Sequence, residues 1–402
     1  MMEQKKNMTL SYAMVQGLYW MIFCVVVAYA SVYLLAKGMS ATSLGILVAV
    51  SNITGALLQP VVAEFSDRST TVTLSHLVIL ICLPALVVSI ALAFSGGIAT
   101  SLLYIAMISL TYVLMPLINS IGMFYTNAGF PTNWGMARAM GSLAFAVISY
   151  GLGIRIASDG PAILPFVAAF LFGLLIVLML FTDTKILPHP SSQAGTAPVE
   201  KTDWRSFSRK YPGYLIVLMG IFTIFGFHGL ASTYLIQIMT HVGGGAREMG
   251  TAIGIGAVLE IPAMFFFSKF EKKLGAGIIL EIAGVFWVVK ALAYSLATSV
   301  GHLYGAQLFQ GLSFAPFMPA LVYYSNDRMS NRDKVKGQAL MTTANTLGGV
   351  LGSLVGGFVL DRQGVPGMLL AGIALALAGS VALFRGIHAG HRAVDNFTVR
   401  PD

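Results

Sequence analysis

Three charged side chains lie inside long apolar stretches of this sequence, namely Arg138, Glu260 and Lys290. Removal of a charge from water is costly, so each of them needs a partner or a polar cavity. Glu260 is the one carboxylate near the middle of such a stretch, which makes it the candidate for carrying a proton. Lys290 could bind a substrate or balance Glu260, and a static ion pair that only fixes two helices is the open alternative.

Arg138 is the second candidate for chemistry, because a guanidinium presents several donors in a planar fork that suits adjacent hydroxyls or a carboxylate. Phe145 follows seven residues later, so on a helix both side chains share one face. A ring beside a polar fork fits a sugar, which has an apolar face and a hydroxyl edge. The alternatives are an ordinary anchor at a helix end for Arg138 and a core or lipid-facing position for Phe145.

Uncharged polar residues also interrupt the apolar stretches. His228 could bind a substrate or relay protons, since histidine titrates near neutrality, or it could be a neutral side chain bonded to a neighbouring helix. Asn119, Gln310 and Asn345 are candidates for binding hydroxyl groups. Each could instead join two helices, a contact worth about 0.6 kcal/mol in a membrane.

Composition sets the environment of these residues. The chain has 402 residues, of which 56% are hydrophobic and 10% are charged, whereas soluble domains carry about 25% charged residues. This excludes a soluble enzyme and a nucleic-acid-binding domain. The sequence has no metal-type cysteine spacing and no HExxH, GxSxG or phosphate-loop motif, so we expect neither a metal nor a cofactor. A membrane-embedded enzyme or sensor is disfavoured for the same reason.

Apolar runs of about 20 residues are long enough to cross a bilayer as helices, and continuous runs exclude a β-barrel. We predict an all-α membrane protein with 12 transmembrane helices in two pseudo-symmetric six-helix bundles. The predicted domains are an N-terminal bundle over 1–182, a cytoplasmic linker over 183–212 and a C-terminal bundle with a short tail over 213–402. The runs are 11–36, 41–63, 72–95, 98–124, 134–157, 161–182, 213–240, 248–270, 276–299, 302–325, 337–360 and 366–388.

Most of the 24 Lys and Arg residues fall in the loops on one side of these predicted spans. Since basic residues are enriched in cytoplasmic loops, we expect both termini to be cytoplasmic. Within the eleventh run, Gly348, Gly352 and Gly356 recur every four residues, a spacing typical of close helix–helix contact.

Short motifs repeat between the two halves. Tyr33-Leu34 is matched by Tyr234-Leu235, and Met115-Pro116 by Met318-Pro319. Two halves of six helices joined by a polar linker are typical of major facilitator transporters, in which substrate binds between the halves near the middle of the membrane.

Three segments resemble the lactose-permease-like oligosaccharide/proton symporters of the major facilitator superfamily. They are residues 45–68, which end in Ser66-Asp67-Arg68, residues 135–146, and residues 264–290. The resemblance implies that Arg138 binds substrate hydroxyls, that an aromatic ring packs on the sugar face, and that Asp67 and Arg68 lie in a cytoplasmic gating loop. Related permeases for nucleosides or phenylpropionate share the pattern. The family also implies a bacterial cytoplasmic membrane.

The chain departs from this pattern at three places. The loop after Asp67 lacks the glycines of the facilitator signature. The tenth run has Gln310 but neither the histidine nor the carboxylate of the lactose carriers, and Asn119 and Ser120 occupy the region of their sugar-binding glutamate. These departures argue against lactose itself as the substrate.

We therefore predict a secondary transporter in the cell membrane that moves a small polar solute, a sugar or oligosaccharide above all, together with protons. An importer of aromatic acids or nucleosides and a proton-coupled efflux system for amphiphilic compounds are the alternatives. The expected partners are the small-molecule substrate, protons and the lipid bilayer. We expect no nucleic acid and a functional monomer.

Overall fold

The computed structural model describes residues 2–68, 72–127, 134–182, 204–330 and 333–398. Throughout these ranges every regular element is a helix, which confirms the all-α prediction. The physical reason is that a helix satisfies its backbone hydrogen bonds internally, as a segment in lipid must.

The described residues up to 182 form seven α-helices, a π-helical turn at Cys24–Ala28 and a 3-10 turn at Pro161–Ile163. The helices are α1 (Met2–Phe23), α2 (Ala30–Ala36), α3 (Ala41–Arg68), α4 (Leu74–Ala93), α5 (Gly97–Asn127), α6 (Trp134–Asp159) and α7 (Leu164–Phe181).

The described residues from 204 onwards form eight further α-helices, with a 3-10 turn at Leu308–Gly311. They are α8 (Trp204–Lys210), α9 (Pro212–Thr233), α10 (Leu235–His241), α11 (Ala246–Leu274), α12 (Ala276–Ser295), α13 (Val300–Gln307), α14 (Phe314–Arg328) and α15 (Lys334–Thr398).

Each of the twelve predicted apolar runs is mostly helical where the structure describes it. Among the described residues, ten helices are long and apolar enough to cross a membrane, and one of these, Lys334–Ala389, contains two predicted runs. It breaks at Gly364, whose φ of 70° favours glycine, just before Pro366. The predicted run 302–325 is divided by the 3-10 turn between α13 and α14.

Close contacts divide the chain into two units. The first comprises Met1–Gly195 with Gly244–Val258, and the second comprises Thr196–Gly243 with Leu259–Asp402. Helix α11 therefore contributes its first part to one unit and its remainder to the other. The domain boundaries proposed from the sequence remain predictions, and most of the predicted linker, 183–203, lies outside the described residues.

Each unit contains a tyrosine at a break in its first long helix that bonds to a distant helix. In the first unit, the Tyr29 hydroxyl donates to the carbonyl of Ser149 at 2.6 Å. In the second unit, the Tyr234 hydroxyl donates to the carbonyl of Ser353 at 2.7 Å. The two contacts span 120 and 119 residues of the sequence, so the structure adds a Tyr29–Tyr234 repeat to the Tyr33–Tyr234 match found in the sequence.

The predicted glycine face of α15 is confirmed in the second unit, where it packs against α9. A Cβ at Gly348 or Gly352 would collide with a backbone carbonyl of α9, and a Cβ at Gly356 would lie 2.6 Å from the Tyr234 ring. Small residues therefore let the two helices approach closely.

We expect Gly352→Ala to destabilise the protein, because the added methyl group meets the backbone of Gly226. Overpacking of this kind costs about 1–3 kcal/mol, and thermal unfolding in detergent should show a lowered Tm. The control is Gly349→Ala, at which an added Cβ has no atom within 4 Å. Equal Tm values for the two variants would contradict the close contact.

A polar cluster outside the spans joins α8 and the start of α9 to the loop before α15. The Lys210 ammonium lies 2.7 Å from the Asp333 carboxylate, which also accepts from the Tyr211 hydroxyl at 2.8 Å and from the Ser330 hydroxyl at 2.9 Å. The hydrogen bond from Lys210, followed by those from the two hydroxyls, lowers the pKa of Asp333 to about 2.

We expect the contribution of this cluster to stability to be present at neutral pH and to disappear in acid. A lowered carboxyl pKa stabilises the folded state above the ordinary value of about 3.9 and is lost as pH falls towards the folded value. Because Lys210 is half exposed, the effect should be about 1 kcal/mol or less. Asp333→Asn should therefore lower the Tm at pH 6 and become indistinguishable from the parent below about pH 2.

The matched control is Asp159→Asn, which removes the exposed partner of Arg155 on α6. We expect little change in Tm from this substitution at either pH. A Tm difference for Asp333→Asn that persisted in acid would show that its cause is not the charge.

Candidate functional site

The first unit brings together a set of polar and aromatic side chains that we call the Trp20 cluster: Gln16, Trp20, Asn119, Arg138 and Phe145. Helix α1 supplies Gln16 and Trp20 four residues apart, so both lie on one face. Helix α5 supplies Asn119, and α6 supplies Arg138 and Phe145.

Gln16 is the hydrogen-bonding centre of the Trp20 cluster. Its amide nitrogen donates to the Tyr12 hydroxyl at 2.8 Å and to the Asn119 side-chain oxygen at 3.2 Å. Its amide oxygen accepts from the Trp20 indole nitrogen at 3.2 Å. The network fixes the orientation of the Trp20 ring relative to α5.

The Arg138 guanidinium lies over the Trp20 ring, with its carbon 4.0 Å from the ring centroid. Such a contact is attractive because the ring face is electronegative. Phe145 meets the edge of the same indole, at 6.3 Å between centroids. A Cβ at Gly141 would lie 2.5 Å from Trp20, so glycine at this position of α6 lets the indole approach.

The second unit contains a chain of three polar side chains, which we call the Gln310 bridge. The Lys290 ammonium donates to the side-chain oxygen of Gln310, and the Gln310 amide nitrogen donates to the Glu260 carboxylate at 2.9 Å. Lys290 is 5% exposed and Gln310 is 8% exposed. The acid and the amine considered as a pair in the sequence are thus joined through an amide.

His228 lies beside this bridge in an aromatic enclosure. Its ring stacks on Phe314 at 5.0 Å between centroids and meets Trp287 at 5.4 Å and Phe225 at 5.8 Å. The Lys290 nitrogen is 5.6 Å from the centre of the Trp287 ring and 5.7 Å from that of Tyr294. His228, Lys290, Gln310 and Glu260 therefore form one region of the second unit.

The structure brings the predicted residues together within each unit. Arg138, Phe145 and Asn119 meet in the Trp20 cluster, and the other three charged or polar candidates meet His228 near the Gln310 bridge. Asn345 lies on α15 and is half-buried. Asp67 and Arg68 end α3, but their side chains lie outside the described part of the protein.

Two residues that the sequence interpretation did not single out are central here. Gln16 is a buried amide in an apolar run, and its spacing of four residues from both Tyr12 and Trp20 was the available signal. Trp287, completely buried, resembles any core aromatic residue in sequence. Within the described residues, no group of three or more His, Cys, Asp or Glu side chains could hold a metal ion.

Comparisons with known proteins agree with this architecture. A family model described as "MFS_1 like family" matches residues 10–368. Multidrug resistance protein 2 of Bacillus subtilis (strain 168) is 22% identical over 155 residues, which are 39% of this chain and 39% of that protein. The chain thus matches well under half the length of this curated relative.

Two solved structures are similar along almost the whole chain. A mutant form of the nucleoside transporter NupG has a TM-score of 0.81 at 14% identity, covering 96% of this chain and 100% of that one. A bacterial homolog of the human lysosomal transporter Spinster, inward-facing and unoccupied, has a TM-score of 0.71 at 14% identity, covering 97% and 98%. At these identities the likeness shows a shared fold.

Proposed function

The chain belongs to the MFS_1 like family and is a membrane transporter, and from this premise we propose that it carries a sugar or oligosaccharide in symport with protons. Transport would follow alternating access, with the chain acting as a monomer in a bacterial cytoplasmic membrane and both termini cytoplasmic. The all-α prediction and the major facilitator fold agree with the solved transporters of similar structure.

The observation that carries the substrate proposal is the Trp20 cluster. It holds a guanidinium at 4.0 Å from an indole ring, with the Gln16 amide bonded to the same indole and the Asn119 amide bonded to Gln16. A flat apolar face beside fixed donors matches a pyranose, whose carbon face is apolar and whose rim carries hydroxyl groups. Binding sites of this kind place a few polar groups in an otherwise apolar wall.

The coupling proposal depends on the Gln310 bridge. Glu260 is an ionisable group within a membrane span, a position that is expensive to maintain and therefore points to function. Its bond to Gln310 and, through Gln310, to Lys290 gives the ionised form a defined partner. Protonation of Glu260 removes that charge and therefore changes the electrostatic attraction along the whole bridge.

A nucleoside is the second candidate substrate, and it is favoured by the same aromatic residues. A nucleobase could stack on Trp20 or Phe145, and paired amides such as Gln16 and Asn119 could bind a base edge. The similar fold of a nucleoside transporter is compatible with this alternative. The curated relative, a multidrug resistance protein, supports efflux of amphiphilic compounds less directly, because the matched part is short.

An uptake screen with proteoliposomes tests these proposals. Radiolabelled lactose, melibiose, uridine and phenylpropionate should be offered with and without an imposed pH gradient. We expect a saccharide to accumulate against its gradient only when the outside is acidic. Accumulation of uridine or phenylpropionate would select the corresponding alternative, and export of an amphiphilic dye with no uptake of the four solutes would contradict symport.

A further inference from the structure

The Gln310 amide has a defined orientation, because its two neighbours have opposite hydrogen-bonding requirements. An ammonium can only donate, so Lys290 must meet the amide oxygen. An ionised carboxylate can only accept, so Glu260 must meet the amide nitrogen at 2.9 Å. The observed arrangement is the one that an ionised Glu260 and a charged Lys290 require.

Little water can substitute for these contacts, since Lys290 and Gln310 are both buried. In a medium of low dielectric constant, hydrogen bonds are electrostatically stronger and polarise one another along a chain. A change of charge at one end of the bridge should consequently alter the hydrogen bonding at the other end.

The backbone holds Gln310 in place between its partners. It lies in the 3-10 turn Leu308–Gly311, which separates α13 from α14. A Cβ at Gly311 would lie 3.0 Å from the carbonyl oxygen of Leu259, the residue before Glu260. The turn thus packs directly on the part of α11 that carries the acid, and this contact places the amide within reach of both charges.

Protonation of Glu260 converts its carboxyl group from a pure acceptor into a group that can also donate. The new hydroxyl can donate to the Gln310 oxygen once the amide turns over. The amide nitrogen would then face Lys290, and because two donors cannot bond to each other, the ammonium would lose this acceptor.

We propose that Gln310 is a positioning residue that transmits the charge of Glu260 to Lys290, so that a proton on Glu260 releases the Lys290 ammonium to bind an acceptor oxygen of the substrate. This inference rests on the proposed function, since it supplies a route by which proton and solute binding favour each other. The substrate group concerned is a hydroxyl, carbonyl or carboxylate oxygen.

Other titratable groups face the same region, and their titration must be distinguished from that of Glu260. His228 from α9 lies 5.4 Å from Trp287 between ring centroids, and Tyr294 on α12 lies beside Lys290. Trp287 itself can report on Lys290, since a cation 5.6 Å from the indole centre perturbs its emission. Tyrosine titrates near pH 10, outside the range needed here.

The test is a pH titration of Trp287 fluorescence without any substrate. The other tryptophans, Trp20, Trp134 and Trp204, are replaced by phenylalanine, and the full chain is placed in nanodiscs of phosphatidylethanolamine and phosphatidylglycerol. Emission is followed from about pH 4 to about pH 9, which covers carboxyl and imidazole titration. We expect one transition in this background and its loss in Glu260→Gln.

The Gln310→Met variant should also lose most of the amplitude of that transition, because the two charges are no longer joined. Gln310→Asn, which keeps the amide but is shorter, should behave in the same way and guards against misfolding of the methionine variant. The matched control is Gln307→Met, which removes an equally buried amide three residues earlier and should keep the transition.

Persistence of the transition in both Gln310 variants would overturn the proposal, as would its absence from the background or its loss only in His228→Gln.

The result of the fluorescence titration is independent of transport. If Glu260→Gln still accumulates solute while the fluorescence behaves as expected, the proposed coupling fails but the role of Gln310 stands. If Glu260→Gln loses accumulation while the Gln310 variants keep the transition, the coupling stands and the role of Gln310 fails.

Discussion

Arg138→Lys is expected to weaken substrate binding about 10- to 100-fold, with the protein still folded and inserted. The substitution keeps the positive charge but removes the planar fork that lies over Trp20, and lysine cannot reproduce two parallel donors. Loss of a charge-assisted hydrogen bond is worth about 1.5–3 kcal/mol, which corresponds to that range of affinity. Equilibrium exchange in proteoliposomes, with the solute identified in the uptake screen, measures the change.

The matched control for this prediction lies on the same helix. Arg155→Lys alters an exposed arginine that pairs with Asp159 at 2.7 Å, about five turns of α6 beyond Arg138. We expect it to leave the affinity unchanged. If Arg138→Lys also left the affinity unchanged, Arg138 would be an anchor at the start of α6 and not a binding residue.

The helices of this protein could be predicted well, because lipid permits only one local solution for a long apolar run. The positions of the breaks could not. The break at Gly364 is the exception, because it lies between the predicted runs 337–360 and 366–388 and α15 has a non-helical backbone there. In the sequence, Gly311 is the strongest signal for the 3-10 turn at Leu308–Gly311. That turn nevertheless positions Gln310.

The candidate residues were also found from sequence, but their partners were not. Charged and amide side chains in apolar runs can be recognised from sequence because their burial in a membrane costs free energy. This criterion identifies Arg138, Lys290 and Gln310. Which side chains meet depends on helix rotation and packing, and these are tertiary properties. The role of Gln16 as the centre of one network, and of Gln310 as the bridge in the other, became visible only with the helices in place.

The same limit applies to the repeat between the two halves. Tyr33 and Tyr234 share a following leucine, and that local match favoured them in sequence. In the structure all three tyrosine hydroxyls donate to a carbonyl on a later helix of their own unit, and those of Tyr29 and Tyr234 do so over 120 and 119 residues of sequence. Both sites also lie at breaks, so the repeat preserves a way of stabilising an interrupted helix.

Glu260→Gln is expected to abolish accumulation driven by a pH gradient while exchange of solute across the membrane continues. Glutamine has the shape of the protonated acid and cannot ionise, so the variant is held in the proton-bound condition. If one proton accompanies each solute, a gradient of one pH unit supports at most about tenfold accumulation. In the variant this ratio should fall to about one.

The reason lies in the reciprocity of coupled binding. If the proton on Glu260 raises substrate affinity by some factor, substrate raises proton affinity by the same factor. The glutamine side chain can donate to the Gln310 oxygen, as the protonated acid would, so the binding-competent arrangement persists, but no proton is released at the end of the cycle. Exchange requires only that the loaded carrier reorient, whereas uphill transport requires the proton to leave.

Glu271→Gln is the matched control, since Glu271 lies on the same helix, α11, beside the terminal basic residues Lys272 and Lys273. It should accumulate solute like the parent protein. Normal accumulation in Glu260→Gln would leave the Gln310 bridge as a purely structural contact. The proton would then have to be carried elsewhere, and His228, enclosed by Phe225, Trp287 and Phe314, would be the next residue to substitute, because its imidazole lies beside the Gln310 bridge and has a nitrogen that can bind a proton.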